Sequence, residues 1–94
     1  EVYILDNPKN LQPQEWIQDF LSHDPARPNI IESRKIDSGN IVLNIEKAMG
    51  IEHSVGYIFK NLRVVIINGP EIHGKFARVF DTVLYSVKIN NWFF

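Results

Sequence analysis

The stretch NLRVVIINGPEIHGKFARVFD, residues 61–81, decides the fold class of this chain. Leu62 to Ile67 carries apolar residues on both alternating faces, which suits a central strand or one covered on both sides. Asn68-Gly69 is a strong hairpin signal, but Pro70 follows it and lacks the N–H that a strand start would donate. The expectation is therefore a connection through Asn68, Gly69, Pro70 and Glu71. Beyond it, Ile72, Gly74, Phe76 and Arg78 alternate against His73, Lys75, Ala77 and Val79. Gly74 marks a sharp bend or bulge in that strand, as small barrels require. Val83, Tyr85, Val87 and Ile89 then line one face of a last strand, so the final third is expected to form a β-meander.

Upstream, Val2-Tyr3-Ile4-Leu5 is a short strand ended by the turn cluster Asp6-Asn7-Pro8. Residues 13–22 form the best helical segment. Pro13 fits the first helical position, Glu15 complements the helix dipole, and Leu11 and Trp16 have the spacing of a hydrophobic staple. Trp16, Ile17, Phe20 and Leu21 make one apolar stripe, with Gln14, Glu15, Gln18 and Asp19 turned to water. Period-two patterning begins at Asn29: Ile30 to Ile36 is a strand and Asp37-Ser38-Gly39-Asn40 a turn. On the returning strand Ile41, Leu43 and Ile45 face one way, Asn44 and Glu46 the other. Residues 46–60 fit either a strand or irregular link, or helical turns broken at Gly50 and Gly56; the first is expected.

One helix and five or six short strands in 94 residues cannot build two cores. The expected fold is α+β and β-dominated: a strongly bent antiparallel sheet or small barrel with one N-terminal amphipathic helix. The chain is expected to be a single domain, 1–94, excised from a longer protein, because it opens on Glu1 and ends in Trp92-Phe93-Phe94.

Composition narrows the chemistry. Apolar residues make up 45% of the chain against 22% charged, enough for a core and against wholesale disorder. The chain has no cysteine, which removes disulfides, thiolate chemistry and Cys-based zinc sites. It leaves the compartment open, with an intracellular one slightly favoured. The longest aliphatic run, Val64 to Ile67, is far short of the ~20 residues of a membrane span. Net charge is −1, yet residues 1–59 hold nine acids and five bases, whereas residues 60–94 hold five bases and two acids. The asymmetry fits either chance, with numbers this small, or a basic face on the C-terminal half suited to an acidic partner, nucleic acid or the acidic half of another copy.

Candidate sites follow from these patterns. His23, His53 and His73 lack the short spacing of a preformed metal site, so neither a metal nor a cofactor is expected. No serine or threonine sits in a nucleophile elbow, and no glycine pattern cradles a phosphate. Lys60, Arg63, Lys75 and Arg78, interleaved with Tyr57, Phe59, Phe76, Phe80 and Tyr85, have the composition of a single-stranded nucleic-acid platform. Aromatics alternating along strands more often belong to a core. From this set Lys60, Arg63, Lys75, Arg78 and Tyr85 are the candidate contacts for nucleic acid or a protein partner. Trp92, Phe93 and Phe94 form a candidate partner-binding aromatic tail.

The stretch from about 55 to 89 resembles the first motif of the Sm/LSm family. Val64-x-Ile66, Asn68-Gly69, Ile72-His73-Gly74, Phe76 and Asp81-Thr82-Val83-Leu84 fall close to its order. The sequence departs from the motif in carrying one extra residue between Gly74 and Asp81, and Tyr85 where the uracil-binding asparagine belongs. The family's second motif, an Arg-Gly pair, does not follow; DSGNIVLNI at 37–45 has a similar Gly-Asn pattern but lies upstream. With the base-binding position altered, the resemblance implies action through protein contacts rather than a uracil-binding ring.

The leading expectation is a non-catalytic interaction or assembly module. It would use sheet edges and the basic C-terminal half to hold a protein partner or another copy, with no membrane role. The alternatives are a small-barrel domain binding single-stranded nucleic acid and a small inhibitor or immunity-type protein. In the last, Glu15, Asp19 and Asp24 would mimic an anionic substrate.

Overall fold

A computed structural model describes residues 2–71. They form β1 (Val2–Asp6), α1 (Pro13–Ser22), β2 (Asn29–Ile36), β3 (Ile41–Ala48), β4 (Ile51–Lys60) and β5 (Arg63–Glu71). The strands make one antiparallel sheet in the order β1-β5-β4-β3-β2. The fold is α+β and β-dominated, as the patterning implies. Closure into a small barrel is not what the described strands form: β1 and β2 stand at opposite edges of an open sheet.

Turn chemistry sets the register. Met49 and Gly50 join β3 to β4 at φ values of 51° and 79°, and Asn61 and Leu62 join β4 to β5 at 53° and 61°. Two successive positive-φ residues match the right-handed twist of the strands they connect. Ala48 therefore pairs with Ile51, and Lys60 with Arg63. Residues 46–48 continue β3 instead of making a helical turn, and residues 51–60 are a continuous strand.

The expected connection at 68–71 is overturned. β5 runs through these residues to Glu71. His53 pairs with Glu71 and Val55 with Asn68, so two steps on β4 answer three on β5. The extra residue makes a bulge around Gly69 and Pro70, and a bulge is where a strand accommodates a residue without an N–H. The later strands of the expected meander, residues 72–94, lie outside the described residues, as does most of the Sm-like stretch.

The helix forms as its sequence specifies. Pro13 occupies the first turn and Glu15 lies in it. Trp16, Ile17 and Leu21 are buried against Val42, Val55, Tyr57, Val64 and Ile66, and Leu11, Phe20 and Phe59 pack on the same cluster. Trp16 is its centre: its ring stacks on Phe20 at 5.1 Å and meets Phe59 edge-on at 5.8 Å. Its indole N–H donates to the Asp6 carbonyl at 3.3 Å, which gives the buried ring's polar end a partner. Asn7, also buried, fixes the approach to the helix. Its N–H donates to the Leu62 carbonyl at 2.7 Å, while its side chain accepts from Leu11 N–H and donates to Leu11 O. The opposite face of the sheet is buried too, at Ile41, Leu43, Ile45, Ile58 and Val65. The apolar run on β5 thus belongs to a central strand with both faces buried.

Candidate functional site

Two features stand apart from the packing: the outer edges of the sheet, and a polar cleft at the end of the helix-covered face.

The edges differ in chemistry. Along β1, Val2, Tyr3, Ile4 and Leu5 are 38–56% exposed, with no charge before Asp6. Among the described residues β1 pairs only with β5. At the other edge, β2 carries Glu32, Arg34 and Lys35 and a register shift between Ile30 and Glu32. Charges and bulges are the usual means of discouraging edge-to-edge pairing, and among the described residues β2 has both, whereas β1 has neither before Asp6.

The cleft is built where β3, β4 and β5 meet the link between α1 and β2. It has a volume of about 510 Å³ and is lined by Asp24 and Pro28, Glu46 and Ala48, His53 and Val55, and Asn68 and Gly69. Glu46 lies on the same face of β3 as Val42, under the helix side of the sheet, and is only 7% exposed. The Tyr57 hydroxyl reaches along that face and donates to Glu46 Oε2 at 2.5 Å; Asn44 Nδ2 donates to the same oxygen at 3.3 Å. Burial pushes the Glu46 carboxyl above its ordinary range, opposed by those two hydrogen bonds and reinforced by the negative charge of Asp24. Burial and the Glu46 carboxylate likewise push the Tyr57 phenol up, so it remains a donor. Asn44 is 1% exposed and its Oδ1 has no hydrogen-bond partner.

This cluster corrects the strand reading. The alternation separating Asn44 and Glu46 from Ile41, Leu43 and Ile45 holds, but both faces are buried. The available signal was Val42, an apolar residue on the same face as Asn44 and Glu46.

The sequence-derived candidates are only partly brought together. Lys60 and Arg63 are exposed and directly paired across the β4–β5 turn, with Asp6 opposite Arg63 on β1. Tyr57 and Phe59 do not make an open stacking platform, because both belong to the Trp16 cluster. Lys75, Arg78, Tyr85, Trp92, Phe93 and Phe94 lie outside the described residues. On the acidic side, Glu15 and Asp19 are exposed and Asp24 is half-buried. His23 caps α1, with Nδ1 2.7 Å from the Asp19 carbonyl oxygen. His53 is an exposed residue of β4. Among the described residues no group of three or more His, Asp or Glu side chains is placed to hold a metal ion, and no helix is long and apolar enough to cross a membrane. Compared with protein-family models, curated proteins and solved structures, the chain matches none.

Proposed function

We propose that this domain is a non-catalytic protein-interaction module that takes up an extended segment of a partner protein along β1. The observation that supports this is that, among the described residues, β1 stands at an edge of the sheet with Val2 to Leu5 half-exposed, whereas the β2 edge carries charges and a bulge. Strand addition uses main-chain hydrogen bonds for affinity and alternate side chains for selectivity. The exposed pair Lys60 and Arg63, at the end of the sheet near Asp6, would favour an acidic residue at one end of the incoming strand. Lys75, Arg78 and Tyr85, and the aromatic residues 92–94, remain part of the proposed partner surface on sequence grounds.

The test is selection from a displayed random-peptide library, followed by titration of the recovered peptides. Alternating apolar sequences are expected, with binding lost in Ile4→Lys while circular dichroism and urea unfolding stay unchanged. Equal binding by Ile4→Lys, or no selected sequence, would overturn the reading. The nucleic-acid alternative is tested in parallel with labelled single-stranded RNA and DNA at two salt concentrations. Affinity falling steeply with salt, and abolished by Lys60→Ala with Arg63→Ala, would replace the protein partner with a nucleic acid.

A further inference from the structure

We infer that Asn68-Gly69 is a site of spontaneous covalent modification, at which Asn68 is converted through a succinimide into aspartate and isoaspartate. The site lies in the bulge of β5 and is independent of what β1 binds.

Three observations point to it. First, Asn68 is the chain's only asparagine followed by glycine. Ring closure requires the main-chain nitrogen of the next residue to reach the asparagine side chain. Glycine leaves that approach open and rotates most freely. Asn10, Asn29, Asn40 and Asn61 are also exposed, but leucine or isoleucine follows each of them. Second, the dipeptide is accessible. Asn68 is exposed and Gly69 half-buried, and both line the cleft of about 510 Å³, which admits the water that the second step consumes. Third, the ladder is irregular here. Val55 pairs with Asn68 and His53 with Glu71, so Gly69 and Pro70 sit in the bulge, outside the regular register. Regular extended backbone is not the conformation from which the ring closes, and a bulge bends and twists the chain locally. Packing also keeps glycine in this place, because a Cβ on it would collide with Ser54 Oγ. The residue that makes Asn68 reactive is the one that the bulge requires.

The chemistry needs no reactant beyond water. The Gly69 nitrogen gives up its proton to solvent and bonds to Asn68 Cγ. The Cγ–Nδ2 bond breaks, and Nδ2 takes up a proton and leaves as ammonia. Water then adds to either carbonyl carbon of the ring. Opening at Cγ restores the original main chain with aspartate at position 68. Opening at the main-chain carbonyl routes the chain through Cγ and leaves isoaspartate. Either product has gained one water and lost one ammonia, and it adds a negative charge to the cleft wall that already holds Glu46 and Asp24. Only isoaspartate lengthens the main chain, by one carbon at the start of the bulge, so it should unseat the pairing of Glu71 with His53.

The experiment is incubation of the full folded chain at mildly alkaline pH. Samples taken over days are mapped by mass spectrometry and labelled with an isoaspartyl-specific carboxyl methyltransferase. Conversion of Asn68 ahead of every other asparagine is expected, with Asn10, Asn29, Asn40 and Asn61 as internal controls. Asn68→Ser removes the reacting amide and should abolish the methyl label at this position. Asn68→Asp brings the charge without the extra carbon, so the aged parent chain should unfold at lower urea than this variant does. Mapping of the parent chain gives its answer whether or not either variant folds, and a parallel incubation in urea gives the rate for the unfolded chain. Conversion in urea alone, conversion of the controls as fast as Asn68, or no isoaspartate at position 68 would overturn the proposal. Equal urea midpoints for the aged chain and Asn68→Asp would overturn the loss of register.

Discussion

Gly69 lies so close to Ser54 that a Cβ built on it would stand 2.0 Å from Ser54 Oγ and 3.2 Å from the Ser54 carbonyl oxygen. The two residues face each other across the bulge between β4 and β5. This glycine is needed for space. Gly69→Ala is expected to destabilise the domain by about 1–3 kcal/mol through overpacking, measured by urea unfolding. Adding Ser54→Ala should recover part of the loss, because the hydroxyl is removed while the backbone contact remains. Additive effects of the two substitutions would show that they do not share this contact.

Glu46 makes the stability of the domain depend on pH with a definite sign. Its carboxyl is raised in the folded state above the ordinary 4.5, so over that window the folded chain binds more protons than the unfolded one. The stability is fully present below 4.5 and declines as pH rises through the raised folded value. Glu46→Gln keeps a neutral acceptor for Tyr57 and should flatten this decline. Above that window it should raise stability relative to the parent chain, read as a higher Tm. Thermal melts of both proteins across a pH series measure this directly. An unchanged slope would show that Glu46 is not its source.

Tyr57→Phe removes the hydroxyl that donates to Glu46 Oε2 while leaving the ring in the Trp16 cluster. The cost is expected to be about 1–3 kcal/mol, that of leaving a buried carboxyl short of a donor. In the Glu46→Gln background the same substitution should cost less, because a neutral amide needs that donor less than a carboxylate does. A double-mutant cycle by chemical denaturation gives the coupling energy, and a value near zero would separate the two side chains.

Leu62 sits at φ 61° in the β4–β5 turn with half its surface exposed. The left-handed region costs a non-glycine residue roughly 1–2 kcal/mol, and glycine adopts it without that cost. Leu62→Gly should therefore stabilise the domain by about 0.5–1 kcal/mol. The bond from Asn7 N–H to the Leu62 carbonyl should persist, since it needs only backbone. Hydrogen exchange at Asn7 checks the second point, and denaturation the first.

How much was legible in the sequence differs between the helix and the cleft. Pro13, Glu15 and the Trp16-Ile17-Phe20-Leu21 stripe specify α1 through contacts a few residues apart, and the helix spans the expected Pro13–Ser22. The strand expected over 30–36 and the turn expected over 37–40 were legible from local patterning too, and they are found as β2 (Asn29–Ile36) and a single turn at Asp37–Gly39. The Glu46 cluster was not. Asn44 is its neighbour on β3, but Tyr57 and Asp24 come from other segments, and no spacing rule connects a carboxyl to a phenol eleven residues away across a hairpin. Tyr57 and Phe59 likewise have the same alternation whether they face a ligand or Trp16.

By itself the sequence determined the element types, the amphipathic face of the helix and the apolar character of β5, because each is set by local periodicity and by residues with restricted backbones. Only the tertiary structure decided which face of β3 lies under the helix and that β1 and β2 stand at the two ends of the strand order among the described residues. It also decided that residues 68–71 continue a strand through a bulge. These are choices of register and partner, made by how distant segments pack. The Asn-Gly-Pro-Glu tetrapeptide shows the difference: its local chemistry permits a turn, and pairing with His53 and Val55 of β4 holds it in the sheet.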